Sequence, residues 1–419
     1  FVSKPDKKIE DLEKFIKTYP TSQYADDALY ELGNTYVNQN QTDKAISTYD
    51  KLISGYKSSS YVAKAILKQG LIYYNGNKEE QALTKFKKVV AEYPNSPESL
   101  EAVSTARLIY VDSGKVDEYA DWVKTLSFVE VSNADLDNDT YESAEKQYLQ
   151  NNAKQAISGF TSYVSKFPNG LHALKANFYL AQLYFADNLE ANSVKHYDFV
   201  VSKPRNEFTE QSLARLCQVH LKAKNYDSAI PVLKRLETEA EFPQNKTYAQ
   251  SNLMKSYYEK QDFANAVIYA DKVLANDKVD DRIKSDAQII VARSAIKTND
   301  ETKAKDAYAK LNKIAKGELK AEALYYDAYF KNKEGKFDAS NTVVEKIASD
   351  YSGYKFFGAK ALIIMAKNYF SLNDSFQATE ILQSVIDNFT EYADVVAEAQ
   401  KELDTIKIEE AKRNSSITN

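Results

Sequence analysis

The stretch "YPTSQYADDALYELGNTY" (19–36) reads as the end of one helix, a short turn and most of a second helix. Similar wording returns at "YPNSPESLEAVSTARLIY" (93–110) and at "FPNGLHALKANFYLAQLYF" (167–185). Each stretch combines an aromatic residue and Pro, a polar turn, and then an apolar helical pattern. A chain that returns to the same junction is built from repeated units, so the unit decides the fold.

Each unit is marked by a small residue that is followed twelve positions later by Ala. These pairs are Gly33/Ala45, Gly70/Ala82, Ala144/Ala156, Cys217/Ala229, Met254/Ala266, Ala292/Ala304 and Ala366/Ala378. Looser equivalents of the first residue stand at Ala106, Ala181 and Ala328. We call these ten first residues the anchors. Successive anchors are 36 to 38 residues apart, which predicts ten units of one kind.

The pattern inside a unit predicts a hairpin of two helices. The anchor lies on the first helix, where a second helix crosses closely, and a larger side chain would push the pair beyond the roughly 8–10 Å of packed helices. An aromatic residue or Leu follows the second Ala by four positions, as Tyr49 and Phe86 do, and therefore shares its face. Pro closes several second helices, among them at Pro20 and Pro94.

These units resemble the tetratricopeptide repeat family. The residues that carry the resemblance are Gly33, Tyr36, Ala45 and Tyr49 in one unit and Gly70, Tyr73, Ala82, Phe86 and Pro94 in the next. The Trp of the family is absent, and the pitch of about 37 exceeds the usual 34 or so, which predicts longer turns or helices. The resemblance implies an all-α fold: an α-solenoid of about ten helical hairpins in a right-handed superhelix, with a C-terminal capping helix. It is specific for fold and unspecific for function.

The pitch also predicts how the chain is divided. Residues 1–20 are a remnant second helix, 21–126 are repeats one to three, 127–139 are an irregular seam, 140–390 are repeats four to ten, 391–413 are a capping helix and 414–419 are a polar tail. The first helix that should precede the remnant is missing, and the chain opens on Phe1 rather than Met. We therefore expect the natural polypeptide to continue upstream with further repeats.

Composition argues against several function classes. A net charge of −5 over 419 residues provides no basic footprint for nucleic acid. No apolar run approaches the roughly 20 residues that cross a membrane, so we expect no membrane insertion by this chain. Cys217 is the only cysteine, and no two of the three histidines, His172, His196 and His220, have the i, i+4 spacing of a metal-binding pair on a helix. Neither a metal site nor a catalytic triad is indicated.

The remaining chemical motifs favour structural roles. Asp135, Asp137 and Asp139 alternate as in a calcium loop, but Thr140 stands where that loop requires Gly, so a cap for the following helix is the better interpretation. Cys217 occupies an anchor, which favours packing over nucleophilic catalysis. No Gly-rich phosphate loop is present. We expect no enzymatic activity and no cofactor.

A narrower resemblance concerns location. The junction wording at 19–36 and 167–185 is similar to periplasmic repeat proteins of Gram-negative cell envelopes, of the type that coordinates Tol-Pal with cell-wall synthesis or serves outer-membrane β-barrel assembly. This resemblance implies a periplasmic scaffold whose partners are envelope complex subunits, together with the upstream part of the same polypeptide. The alternative is that relaxed tetratricopeptide repeats simply read this way, and the alternative location is the cytoplasm.

Partner binding is expected on the concave wall, which the family resemblance assigns to the first helices. Residues four after or three before an anchor face this groove. The predicted partner-binding residues are Tyr30, Tyr74, Tyr110, Tyr148, Phe178, Phe185, Tyr258, Tyr325 and Phe370. Rigid rings supply efficient contact area for a peptide or helix. Two alternatives remain open: the rings bridge adjacent first helices, or they stack on the sugars of peptidoglycan.

Overall fold

The computed structural model describes residues 4–417, with side chains described for 4–413. Within this range the regular structure consists of twenty-two helices and contains no strand. The prediction of an all-α solenoid is confirmed. The chain divides into two compact units, Phe1–Pro204 and Arg205–Asn419.

The first unit contains one single helix followed by five hairpins. Its helices are α1 (Pro5–Thr18), α2 (Ala25–Asn38), α3 (Thr42–Gly55), α4 (Val62–Asn75), α5 (Glu79–Glu92), α6 (Pro97–Asp112), α7 (Val116–Val123), α8 (Asn133–Leu149), α9 (Ala153–Lys166), α10 (Ala173–Ala186) and α11 (Glu190–Ser202). The anchors lie on the even-numbered helices, which are the first helices of the hairpins. Helix α1 corresponds to the predicted remnant, of which residues 1–3 lie outside the described residues.

The second unit contains five hairpins followed by one long helix. Its helices are α12 (Thr209–Lys222), α13 (Tyr226–Glu239), α14 (Pro243–Glu259), α15 (Phe263–Leu274), α16 (Asp281–Lys297), α17 (Glu301–Ile314), α18 (Gly317–Lys333), α19 (Phe337–Asp350), α20 (Lys355–Ser371), α21 (Ser375–Asn388) and α22 (Ala393–Ile417). Helix α22 packs on α20 and α21 and buries Val395, Ala399, Leu403 and Ile406. It extends to Ile417 because no Gly or Pro interrupts it, so residues 414–417 of the predicted tail are helical. Residues 418–419 lie outside the described range.

Every hairpin turns on one residue in the left-handed backbone region. Nine of the ten stand seven positions after the anchor, and the tenth, Gly114, stands eight after Ala106. These residues are Asn40, Asn77, Gly114, Asn151, Asn188, Lys224, Gln261, Asn299, Gly335 and Asn373. Asn tolerates this conformation better than most side chains, and Gly adopts it freely. The turn is then closed by a backbone hydrogen bond of the kind found at helix C-termini. In the first hairpin the Gln41 amide donates to the Tyr36 carbonyl oxygen (2.8 Å).

The anchors Gly33 and Gly70 lack a side chain because an aromatic ring packs directly against each of them. A Cβ added to Gly33 would lie 2.4 Å from the Tyr49 ring, and one added to Gly70 would lie 2.5 Å from the Phe86 ring. Both rings are fully buried. The residue sixteen after the anchor, rather than the Ala at twelve, therefore makes the closest approach to the anchor in these two repeats.

The irregular segment is shorter than predicted. Helix α7 ends at Val123 after only eight residues and α8 begins at Asn133, so the irregular residues are 124–132 and not 127–139. The earlier start of α8 has a local cause: the Ser132 hydroxyl accepts from the Asp135 amide, and the Asp135 carboxylate accepts from the Ser132 amide. This reciprocal capping box satisfies two backbone donors that a helix start would leave without partners.

Candidate functional site

The residues six before, three before, one after and four after an anchor are spaced by three or four, so they lie along one face of the first helix. We call this face the first-helix stripe. In the first unit it belongs to α2, α4, α6, α8 and α10, and in the second to α12, α14, α16, α18 and α20. All nine predicted partner-binding residues stand on it.

The nine rings differ in depth. Tyr110, Phe178 and Tyr325 are buried. The half-buried rings are Tyr30, Tyr74, Tyr148, Phe185, Tyr258 and Phe370. None of the nine is fully exposed. The stripe thus presents partly accessible aromatic side chains.

Several of these rings do bridge neighbouring helices, as one of the alternatives proposed. Tyr148 on α8 stacks on Tyr179 of α10, with the ring centroids 4.4 Å apart. Tyr30 on α2 stacks on Tyr61, which directly precedes α4, at 4.9 Å. Such stacking stabilises the contact between repeats and also holds each ring in one orientation.

Ion pairs between successive first helices were missed by the sequence analysis. The residue one after an anchor meets the residue five or six before the next anchor. The pairs are Arg107/Asp139, Glu145/Lys175, Lys255/Asp286 and Arg293/Glu322. The signal was present in the sequence as opposite charges at these two positions of consecutive repeats. These stripe charges are therefore paired within the chain.

Two of these pairs bury their carboxylate. Asp139 is fully buried and accepts two bonds of 2.9 Å from the Arg107 Nε, and its hydrogen bond raises the pKa of Arg107. Glu322 is also buried and accepts from the Arg293 Nε and from the Tyr308 hydroxyl, each at 2.9 Å. The bond to Glu322 raises the pKa of Arg293, and burial raises the pKa of Tyr308. Each Arg keeps its charge beside a desolvated carboxylate, which ties adjacent repeats together.

Cys217, His196 and His172 are packed among neighbouring side chains. Cys217 is fully buried, and burial raises the pKa of its thiol to about 12, so the reactive thiolate is scarce at neutral pH. The His196 Nδ1 lies 2.7 Å from the Asn177 Oδ1, and its ring stacks on Tyr184. The His172 ring stacks on Tyr141 with centroids 4.2 Å apart. The side chains described here do not form a nucleophile–base pair around Cys217.

The three alternating aspartates each hold a different structural element. Asp135 caps α8, Asp139 pairs with Arg107, and Asp137 accepts from the Leu171 amide at 2.8 Å and from the Tyr163 hydroxyl. Among the described residues, no group of three His, Cys, Asp or Glu side chains is placed to hold a metal ion. No helix in the described part of the chain combines the length and apolar character needed to cross a bilayer.

Comparison with known proteins identifies the repeat. The family model described as "Tetratricopeptide repeat" matches residues 27–59 and 64–96, which cover the first two hairpins. No curated protein sequence matches the chain.

The chain also matches several solved structures at low sequence identity. A tetratricopeptide repeat protein from Parabacteroides merdae is 17% identical over 56% of this chain and 87% of its own, with a TM-score of 0.27. PilW, whose structure is described as that of a type IV pilus biogenesis factor, is 16% identical over 61% and 94%, with a TM-score of 0.27. Yeast Tom70 is 13% identical over 98% and 95%, with a TM-score of 0.33.

Proposed function

We propose that this chain is a non-enzymatic scaffold that binds a segment of a partner protein along the first-helix stripe. The proposal starts from the tetratricopeptide repeats that the family model matches at residues 27–59 and 64–96. The observation that carries the proposal is the recurrence of half-buried rings four residues after the anchor on several of the first helices. In the first unit these rings include Tyr74 and Tyr148, and in the second Tyr258 and Phe370.

The chemistry of the stripe favours an apolar or aromatic contact over a charged one. Half-buried rings already have restricted rotamers, so a partner that covers their edges gains apolar burial at small entropic cost. The stripe charges Lys255 and Arg293 are already paired with Asp286 and Glu322. A partner gains little from competing for these charges, so they set register rather than affinity.

We further propose that the setting is the periplasm of a cell envelope, where the partner is a subunit of an outer-membrane biogenesis, secretion or cell-wall complex. The support is the similarity in junction wording given above, at residues 19–36 and 167–185. Fractionation of cells that express the natural polypeptide tests this setting directly. Recovery with cytoplasmic markers would remove the envelope proposal and leave the scaffold proposal standing.

Replacement of Tyr74, Phe185 and Tyr258 by Ala tests the stripe. We expect helical content by circular dichroism to persist and partner capture to fall about tenfold or more, since each lost aromatic contact in a binding site costs roughly 1–2 kcal/mol. A photo-cross-linking residue placed at Tyr74 or Tyr258 identifies what is captured.

The matched control replaces three aromatic residues off the stripe, Tyr24, Phe242 and Phe376, by Ala. These rings are more exposed than those of the stripe, so capture by general surface hydrophobicity would fall at least as much in the control. Equal loss in both variants would contradict the stripe as the binding face. Co-sedimentation with purified peptidoglycan, without protein, separates the protein partner from a glycan partner.

A further inference from the structure

A cavity of about 560 Å³ lies between α17, α18 and α19 in the second unit. It is formed by two second helices and the first helix between them. Six lysines and two carboxylates contribute to its wall. The lysines are Lys305, Lys313, Lys320, Lys331, Lys336 and Lys346, and the carboxylates are Asp327 and Glu334. The cavity is therefore strongly basic in a chain whose net charge is negative.

Both carboxylates of the cavity are already paired. Glu334 pairs with Lys305 and Lys336, and Asp327 pairs with Lys331. The other three lysines, Lys313, Lys320 and Lys346, form no ion pair with a carboxylate of residues 4–413. Positive charge therefore remains without a counter-charge around one concave space.

Lys320 is the least exposed of these three lysines. Its ammonium is half-buried and donates to the backbone carbonyl of Asn312. Burial lowers the pKa of Lys320, and the nearby charge of Lys346 lowers it further. The buried Oδ1 of Asn312 has no hydrogen-bond partner. Two like charges held close together raise the energy of the empty cavity, and a bound anion would relieve that repulsion.

The first unit offers a matched cavity, because α1, α2 and α3 enclose about 620 Å³ in the same register. There Leu32 and Tyr36 stand one residue before and three residues after the anchor. The residues at these two positions in the α17–α19 cavity are Asp327 and Lys331. The wall of this cavity carries three lysines against two carboxylates, with an apolar floor. The basic wall is thus specific to the α17–α19 cavity and is not a consequence of hairpin geometry.

We propose that the α17–α19 cavity binds a phosphate-bearing ligand of two or more negative charges. Its volume falls within the range of small-molecule sites. The ammonium of Lys is a compact point charge with three donors, which suits the tetrahedral oxygens of a phosphate group. No Arg lines the cavity. The phosphate group belongs to a soluble phosphorylated compound or to the headgroup of a lipid.

Two exposed lysines provide the test. Lys313→Gln with Lys346→Gln removes two unpaired charges from the α17–α19 cavity. Lys17→Gln with Lys51→Gln removes two from the α1–α3 cavity, where Lys51, like Lys346, stands eighteen residues after the anchor, and both of these lysines are also exposed. Because all four side chains are on the surface, both double variants are expected to fold. They also have the same net charge, so general electrostatic attraction is equal in both.

The whole chain is titrated with inorganic pyrophosphate at fixed ionic strength, and separately sedimented with vesicles of phosphatidylcholine with or without phosphatidic acid. We expect binding in one arm, which identifies the source of the phosphate group. The Lys313/Lys346 variant should bind about tenfold or more weakly, since a charge-assisted hydrogen bond contributes roughly 1.5–3 kcal/mol. The Lys17/Lys51 variant should stay within about twofold of the unsubstituted chain. Equal weakening of both variants, or no binding in either arm, would overturn the proposal.

Discussion

Within the unit Phe1–Pro204, the hairpins before and after residues 124–132 bury different kinds of polar group. In α2–α6 the buried polar residues are neutral: Thr35, Thr48, Gln69 and Ser99. In α8–α11 they include two carboxylates and an imidazole, from Asp137, Asp139 and His196. The same hairpin pattern therefore holds together with an uncharged interior in one region and an ionisable one in the other.

The hydrophobic clusters change at the same place. One cluster extends from Leu29 to Val123, and a second extends from Tyr141 to Leu180. Between them, α6 and α8 are joined by the ion pair of Arg107 with Asp139. The comparison shows that the spacing of the hairpins along the chain stays the same when the contact between repeats changes from apolar to ionic. The two regions should then respond differently to mutation and to pH.

The largest expected effect is that of Arg107→Ala. The substitution removes the guanidinium that donates to the fully buried Asp139 carboxylate, and breaking such a pair costs about 3–5 kcal/mol. Hydrogen exchange of peptides from α6 and α8 measures the loss locally, which suits a repeat protein whose units open separately. Peptides from α2 and α3 should be affected far less.

The control for Arg107→Ala replaces both partners, as Arg107→Leu with Asp139→Leu. Apolar side chains of similar size should recover most of the stability, because no charge is then left without a partner. In the other unit, Arg293→Ala should cost less, since the Tyr308 hydroxyl still donates to Glu322. A cost for Arg107→Ala below about 1 kcal/mol would mean that Asp139 finds another partner or solvent.

Acidification provides the next largest effect, through His196. Burial lowers the pKa of His196 to about 4 from an ordinary value of 6.5. Between these values the unfolded chain binds a proton that the folded chain does not, so stability falls as the pH falls below 6.5. From pH 7 to pH 5 the loss is about 2 kcal/mol.

Hydrogen exchange at the two pH values, corrected for intrinsic exchange rates, checks this loss. Peptides from α10 and α11 should lose protection, whereas those from α2–α6, which bury no Asp, Glu or His side chain, should not. His196→Gln should abolish the difference between pH 7 and pH 5 whatever its effect on absolute stability. A difference that persists in this variant would assign the pH dependence to another group.

The sequence predicts the hairpins well because their determinants are local. The anchor spacing, the aromatic residue sixteen positions later and the turn after each first helix all lie within one unit. The start of α8 was also readable, since Ser132 followed by Asp135 has the form of a capping box. The predicted boundary at residue 139 was too late because Asp135, although interpreted as a cap for the following helix, was assigned to the irregular segment 127–139.

The depth of the stripe residues was less predictable because it depends on the neighbouring repeat. Spacing places Tyr110 and Tyr148 on the same face, yet Tyr110 is buried beside Trp122 and Tyr148 is only half-buried. A register position specifies the direction of a side chain, and the covering side chains come from other helices. The Arg107/Asp139 pair was missed for the same reason, since its partners are 32 residues apart.

The smallest expected effect concerns the region with the uncharged interior, at the contact between Gly70 and Phe86. Gly70→Ala places a methyl group against the fully buried Phe86 ring, at a cost of about 1–3 kcal/mol that is partly offset by roughly 1 kcal/mol of better helix propensity. Phe86→Leu should relieve the clash, because Ala366 with Leu382 occupies the same two positions in the last repeat.

Urea unfolding of the two single variants and the double variant forms a double-mutant cycle, with an expected favourable coupling of about 1 kcal/mol. The coupling should be the same at pH 7 and pH 5, since no ionisable group takes part. Strictly additive losses would show that the anchor and the residue sixteen later do not share one volume, and would remove the physical basis of the repeat pattern.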